Sequence, residues 1–347
     1  MGKVKLLQLI TGLGTGGAEK VVLDLCDNLD KSKFDVSVIS LGTRREMLHL
    51  FENKKIAVIV LGLKKSLFGF FAMISKVNTF VKQNNVSVIH AHMTHPVIIA
   101  SFIKILNPSI SIAYTSHSQN IGSYFRKVLV YLLRPFRTID IVFSSEILNF
   151  YNKKNFKVIP NGIKTENYNL SIEKNEIFTF ITVGRLEPVK NYLLLIDIIS
   201  KLKIKDFQLF IVGDGYLREE IERKVENSNM SGKIKILGLR EDIPELLCTA
   251  HCFLMPSSWE GMPIVILEAG SCGLPVISTP VGSIPTLIDN ETGYLASLSD
   301  FHKTIEQVYN NYNEAVNKGN LLKQKIIKDY SIKTVVKEHE KIYLNCL

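Results

Sequence analysis

Short β-branched and aromatic runs alternate with amphipathic stretches along nearly all of this 347-residue chain. That alternation leaves few architectures open. Parallel strands need a long crossover, usually a helix, so strand–helix repetition reads as an α/β fold with parallel sheets. The first half predicts strands over 5–10, 34–41, 57–61, 86–90, 112–116 and 141–144. The second predicts them over 178–183, 208–212, 234–237, 252–255, 275–278 and 294–296. Two such series in one chain of this length argue two doubly wound domains with cores of their own. Residues 161–176 are polar, carry Asn161-Gly162 and lack apolar periodicity, which marks a joint. The domains are therefore expected at 1–160 and 161–330, followed by a helical segment over 331–347.

Charge separates the halves. Residues 1–160 hold 21 Lys and Arg against 9 Asp and Glu, while 161–347 hold 21 against 24. The net +9 thus belongs to the first half, which implies an anionic partner there. No apolar run approaches the ~18 residues that span a bilayer. The apolar part of the N-terminus is too short for a signal peptide, and Leu6 stands where a myristoylation signal needs Ser or Thr. Five scattered cysteines read as reduced, mostly buried thiols; Cys248 and Cys252 lack the further ligands of a zinc site.

Several loops carry chemistry. Gly12-Leu13-Gly14-Thr15-Gly16-Gly17 follows the first strand and opens a helix. Free N–H groups and the helix dipole suit a phosphate there, though a plain tight turn explains the glycines equally well. Arg185 and Lys190 share a loop after the strand 178–183. A guanidinium fork and an ammonium point charge at a strand's C-terminal end suit a pyrophosphate. Gly213-Asp214-Gly215 makes a second glycine turn. The segment Trp259-Glu260-Gly261-Met262-Pro263-Ile264-Val265-Ile266-Leu267-Glu268 sets two carboxylates around an apolar helix that stops at Gly273-Leu274-Pro275. That helix is too apolar for a surface, so Glu268 is expected to be buried and to need donors. Glu260 as a turn carboxylate and Glu268 as a satisfied core acid is the alternative.

Taken in order, these motifs resemble the retaining glycosyltransferases of family four, which have the GT-B fold. Gly16-Gly17-Ala18-Glu19, Thr115-Ser116-His117, Val158-Ile159-Pro160-Asn161-Gly162, Gly184-Arg185-Leu186 with Lys190, Gly213-Asp214-Gly215, the paired-glutamate segment, Thr279-Pro280-Val281-Gly282-Ser283 and Asn290-Glu291-Thr292-Gly293 carry the match. The resemblance implies two Rossmann-like domains facing a central cleft, with the tail crossing back to the first. It implies a nucleotide-diphosphate sugar, UDP-linked by preference, held mostly by the second domain. Arg185 and Lys190 would bind the diphosphate and stabilise the leaving charge. Glu268 would accept from the ribose. Glu260, helped by backbone around Gly261, Met262, Pro263 and Ile264, would hold the sugar hydroxyls. Gly16 and Gly17 would close on the phosphates, and His117 would stand near the reacting centre.

Family-four transfer is thought to proceed by front-face attack, so the glutamates are not expected to act as a glycosidase pair. The chain has no Asp-x-Asp, so no metal and no cofactor are expected. His90, His92 and His95 form a cluster without a nearby carboxylate, for which a structural or cleft-edge role is expected.

In this fold the first domain should hold the acceptor site. Residues 64–82 and 124–137 mix aromatics with Lys and Arg, the composition of a helix lying on anionic lipid. The expected acceptor is a glycan, lipid-linked, in surface polysaccharide assembly; the expected location is cytoplasmic and peripheral at the inner face of the plasma membrane. Nucleic acid is not expected, because no recognition motif accompanies the charge. A GT-B sugar-nucleotide epimerase and a non-catalytic binding module are the rival readings. An oxidoreductase would need an acidic residue near Ser40-Leu41-Gly42-Thr43, and none is there.

Overall fold

A computed structural model describes residues 2–62, 66–117, 121–145 and 148–347. They form two compact units, Met1–Gly162 with Ile332–Leu347, and Ile163–Ser331.

The first unit runs β1 (Val4–Ile10), α1 (Gly17–Asn28), β2 (Phe34–Ser40), α2 (Leu48–Asn53), β3 (Ala57–Val60), α3 (Leu67–Gln83), β4 (Val88–His92), α4 (Thr94–Leu106), β5 (Ser111–Thr115), α5 (Tyr124–Leu132), β6 (Ile139–Val142) and β7 (Phe156–Val158). Its sheet is ordered β3-β2-β1-β4-β5-β6-β7 and is parallel throughout. Helices cover both faces, so the central strands are buried on both sides and read as continuous apolar runs. In β1 the one interior exception is Gln8, fully buried between Leu7 and Leu9.

The second unit runs β8 (Phe178–Val183), α6 (Tyr192–Ile199), β9 (Phe207–Val212), α7 (Arg218–Asn227), β10 (Ile234–Gly238), α8 (Ile243–Thr249), β11 (Cys252–Met255), α9 (Ile264–Ser271), β12 (Val276–Ser278), α10 (Ile284–Leu287), β13 (Tyr294–Leu295), α11 (Phe301–Asn310) and α12 (Tyr312–Asp329). Its parallel sheet is ordered β10-β9-β8-β11-β12-β13. The last helix, α13 (Ile332–Asn345), belongs to the first unit, where Val335, Val336, Ile342 and Tyr343 share a core with Val4, Leu6 and Leu25.

Four expectations shift, the first being that β6 lies two residues earlier than 141–144. Strand β7 was not anticipated, because three residues at a sheet edge are too few to show a period. Strand β4 lies two residues later than 86–90, which brings His92 into the strand beside His90 on one face. The stretch 161–176 is not a bare joint: Ile163 bridges to Ser331, and Tyr168 is buried in the second unit. Residues 169–174 are exposed, and the buried anchors Ile163 and Tyr168 have no repeat to betray them.

Candidate active site

In each unit the strand order reverses between the first strand and the fourth, β1 beside β4 and β8 beside β11. Loops leaving such a pair diverge to opposite faces and open a crevice at their C-terminal ends, the usual ligand site of a doubly wound sheet. The sequence-predicted residues gather at these two places.

In the second unit, β8 ends at Val183 and leads through Gly184 and Arg185 into a short 3-10 turn over Pro188–Lys190. Lys190 Nζ donates to Glu260 Oε1 at 2.7 Å, and both side chains are largely shielded. Backbone stitching fixes the pair. Ser258 N donates to Val189 O at 2.8 Å, and Asn191 Nδ2 donates to Pro256 O at 2.8 Å. Gly282, at φ +60°, backs the Glu260 loop so closely that a Cβ there would lie 2.1 Å from Glu260 O. Its neighbour Ser283 donates to Gly261 O through both N (3.0 Å) and Oγ (2.7 Å). The motif at 279–283 is therefore the support of Glu260 and Gly261. Arg185 takes a different partner, its own loop's Glu187 at 2.7 Å, and stays more exposed than Lys190. Gly213, at φ +135°, has no room for a Cβ, which would meet Gly184 O at 2.0 Å. The two glycine loops thus pack edge to edge.

Met262 is buried, Pro263 is the N-cap of α9, and Ile264 is its first residue. The helix closes as its sequence predicts. Leu274 N reaches Ala269 O and Gly273 N reaches Gly270 O, with Gly273 at φ +72°, a Schellman cap. Glu268 is buried, and Tyr168 Oη donates to its Oε1 at 2.8 Å. Beneath it Cys248 pairs with Cys272, not Cys252, with sulfurs 3.0 Å apart. The hydrogen bond from the Cys272 thiol pulls the Cys248 pKa down to about 6 and pushes that of Cys272 up.

In the first unit, Gly16 is the N-cap of α1 and Gly17 its first residue. The Glu19 carboxylate folds back against Gly16, and the Arg44 guanidinium lies over Gly14. The helix N-terminus thus already faces a carboxylate of its own first turn. Strand β4 ends on His90 and His92, with ring centroids 3.9 Å apart. His92 Nδ1 lies 2.8 Å from His117 Nε2, and His90 Nε2 lies 2.8 Å from Thr115 Oγ1. His117 adopts φ +56° just past β5, its ring against Phe143. Burial drives all four nearby imidazoles towards the neutral form: His117 to about 3, His339 to about 4, and His90 and His92 well below their ordinary value. A pocket is lined by His92, Thr115, His117, Asn161 and His339. Among the described residues no group of three or more His, Cys, Asp or Glu is arranged to hold a metal ion.

Residues 15–167 match the family model for Glycosyltransferase Family 4, and residues 177–311 match that for Glycosyl transferases group 1. The chain belongs to glycosyltransferase family four. The transferase is 26% identical over 334 residues to the UDP-Gal:alpha-D-GlcNAc-diphosphoundecaprenol alpha-1,3-galactosyltransferase of Escherichia coli, covering 87% of this chain and 85% of that protein. It is 28% identical over 301 residues to the capsular polysaccharide biosynthesis glycosyltransferase CapH of Staphylococcus aureus, covering 80% and 82%. Among solved structures, Anabaena HepE in complex with UDP matches with a TM-score of 0.87 at 19% identity, over 99% of this chain and 100% of that one. That likeness establishes the GT-B fold.

Sequence reasoning missed several residues of the transferase. Tyr168 lies in a stretch that reads as linker, and only its isolation as an aromatic among polar residues marks it. Gln8 and Tyr343 join the histidines, one a lone amide in an apolar strand and the other on α13. Arg44 covers the glycine loop from beyond β2. The basic, aromatic segments also take shape. Phe68 and Phe71 on α3 and Tyr124, Phe125 and Leu132 on α5 are exposed, Phe68 by 89% and Phe125 by 73%. The helices α3 and α5 flank α4, so these side chains belong to one helical layer. Lys64 and Lys65 lie outside the described residues. No helix among the described residues is long and apolar enough to cross a membrane.

Proposed function

We propose that this transferase moves a hexose or N-acetylhexosamine from a UDP-sugar to a lipid-linked glycan with retention of configuration and without a metal. The Lys190–Glu260 pair at the β8/β11 crevice carries the reading. Lys190 supplies the charge that a metal would otherwise bring to a diphosphate, and Arg185 swings from Glu187 to join it. Glu260 orients Lys190 and accepts from sugar hydroxyls, while the amides at the start of α9 complete that subsite. Glu268 takes the ribose hydroxyls alongside Tyr168. Gly16 and Gly17 admit the phosphates once Glu19 yields, and His117 meets the sugar near the reacting carbon. Glu260 is bound in an ion pair and Glu268 is buried under Tyr168, so neither is placed as a free nucleophile. This supports front-face attack, in which the leaving phosphate assists deprotonation of the acceptor.

The substrates of the relatives support the substrate classes. The Escherichia coli relative is a galactosyltransferase to a diphosphoundecaprenol-linked sugar, the Staphylococcus aureus relative serves capsular polysaccharide, and HepE binds UDP. The aromatic and basic layer of α3 and α5 supports contact with an anionic membrane, at the cytoplasmic face where nucleotide sugars are made.

The deciding experiment is a thermal-shift panel of UDP-, GDP-, ADP- and CMP-sugars in EDTA, followed by NMR of the product anomer. Stabilisation by one UDP-sugar, lost in Lys190→Ala, and an axial product linkage from an axial donor are the expected results. Silence across the panel, or inversion, overturns the reading. Cosedimentation with anionic vesicles tests the surface: Phe68→Ser with Phe125→Ser is expected to weaken binding, and equal binding to zwitterionic vesicles argues against it.

A further inference from the structure

Six side chains of the first unit form one continuous hydrogen-bonded line. His117 Nε2 meets His92 Nδ1 at 2.8 Å, and His92 Nε2 meets Gln8 Oε1 at 2.6 Å. From the other end of the same amide, Gln8 Nε2 donates to Tyr343 Oη at 3.4 Å. Tyr343 Oη meets His90 Nδ1 at 2.7 Å, and His90 Nε2 meets Thr115 Oγ1 at 2.8 Å. Gln8, His90 and Tyr343 are fully buried and His92 almost so.

An imidazole's roles depend on its partners, and here the Gln8 amide turns its oxygen to His92 and its nitrogen to Tyr343. The carbonyl of Gln8 only accepts and its NH2 only donates. His92 must therefore carry its proton on Nε2. Being neutral, it has no second proton, so its Nδ1 is a lone pair that receives the Nε2–H of His117. His117, neutral as well, is left with a bare Nδ1. The other arm runs the same way: amide to Tyr343, phenol to His90 Nδ1, His90 Nε2–H to Thr115. One amide polarises the whole line.

We propose that Gln8 is a positioning residue that fixes His117, through His92, as the Nε2–H tautomer with an unprotonated Nδ1 able to accept a substrate hydroxyl. The tautomer follows from the orientation of the Gln8 amide and the neutrality of the rings, whereas the hydroxyl partner rests on the transferase reading. Two features fit. His117 is held at φ +56° with its ring against Phe143, so its orientation is set as well as its tautomer. It also lines a pocket with Asn161 and His339.

The test is long-range 1H–15N NMR of the intact, ligand-free protein labelled in histidine, which reads the protonated nitrogen of each ring directly. The expected result is Nε2–H at His90, His92 and His117. Nδ1–H at His117 means that the line runs in the opposite sense, and an imidazolium there means that it is not neutral; either overturns the proposal. Gln8→Met keeps the volume and removes the polarity. It is expected to leave His117 in mixed tautomers and to lower kcat by about tenfold, the worth of one hydrogen bond, with the donor KM little changed. Circular dichroism and the melting temperature separate this from misfolding. If His117 keeps a single tautomer in Gln8→Met, the role of Gln8 is overturned. If the tautomers behave as expected in a protein with no transfer activity on any sugar nucleotide, the transferase reading fails and the positioning role stands.

Discussion

The two units repeat one topology and fill its crevice with opposite chemistry. At the β8/β11 crevice the side chains are charged and paired, Lys190 with Glu260 and Arg185 with Glu187. At the β1/β4 crevice they are neutral and linked in a line of imidazoles, amide and phenol. Charged pairs suit a diphosphate because they exchange partners when the anion arrives. A neutral line suits a reacting sugar because it fixes donors and acceptors without adding charge to a buried place. The sheet decides where a ligand sits. The side chains on the loops and strand ends decide what part of it is held.

The largest effect that sharpens this contrast is acid. His90, His92, His117 and His339 of the first unit are all held neutral by burial, with their pKa values depressed. A depressed histidine costs nothing above its unfolded pKa of about 6.5. Below that, the unfolded chain takes up protons that the folded one refuses. Each group then removes about 1.4 kcal/mol of stability per pH unit until its folded pKa is reached. The second unit has one counterpart, His251, lowered by burial to about 4. Hydrogen exchange between pH 7 and 4.5 is therefore expected to open β4, β5 and α13 before β8 and β11. Earlier opening of the second unit would break the comparison.

Next comes function. Lys190→Ala leaves Glu260 partly buried without its cation and removes the charge proposed to meet the diphosphate. A fall in kcat/KM of about 100-fold or more is expected, together with loss of UDP binding. His117→Ala is expected to lower kcat by on the order of tenfold, the scale of one hydrogen bond, with UDP binding intact. Kinetics paired with calorimetry checks both. Loss of UDP binding in His117→Ala would show that the division of labour between the units is wrong.

Much of this was legible in the sequence. Of the thirteen strands among the described residues twelve were, since each falls on a short apolar run, most of them β-branched. So was the placement of Arg185, Lys190 and Glu260 on loops that follow strands and of Glu268 inside an apolar helix, because the strand and helix signals around them are strong. Pairing was not. Nothing in the spacing says that Lys190 takes Glu260 while Arg185 takes Glu187, because that depends on loop stitching by Ser258 and Asn191. Tyr168 was hidden because a packed irregular segment has no period. Gln8 and Tyr343 were hidden because they lie 335 residues apart, and only the return of α13 brings them together.

The smallest effect concerns Tyr168, the one donor to Glu268 that came from an apparent linker. A carboxylate has two oxygens and room for about four donors. Tyr168, which donates to it at 2.8 Å, therefore leaves room for the ribose proposed to bind there. Tyr168→Phe leaves a buried carboxylate short of one donor, which costs about 1–3 kcal/mol. That loss should appear as a lower melting temperature, with UDP affinity reduced less than tenfold because the ribose still finds the carboxylate. Glu268→Gln should reverse the pattern. Its neutral amide remains hydrogen-bonded to Tyr168, so stability is nearly kept, but it accepts less strongly, so UDP binding falls further. If Tyr168→Phe weakens UDP more than Glu268→Gln does, then Tyr168 itself holds the nucleotide and Glu268 is the core acid that its burial resembles.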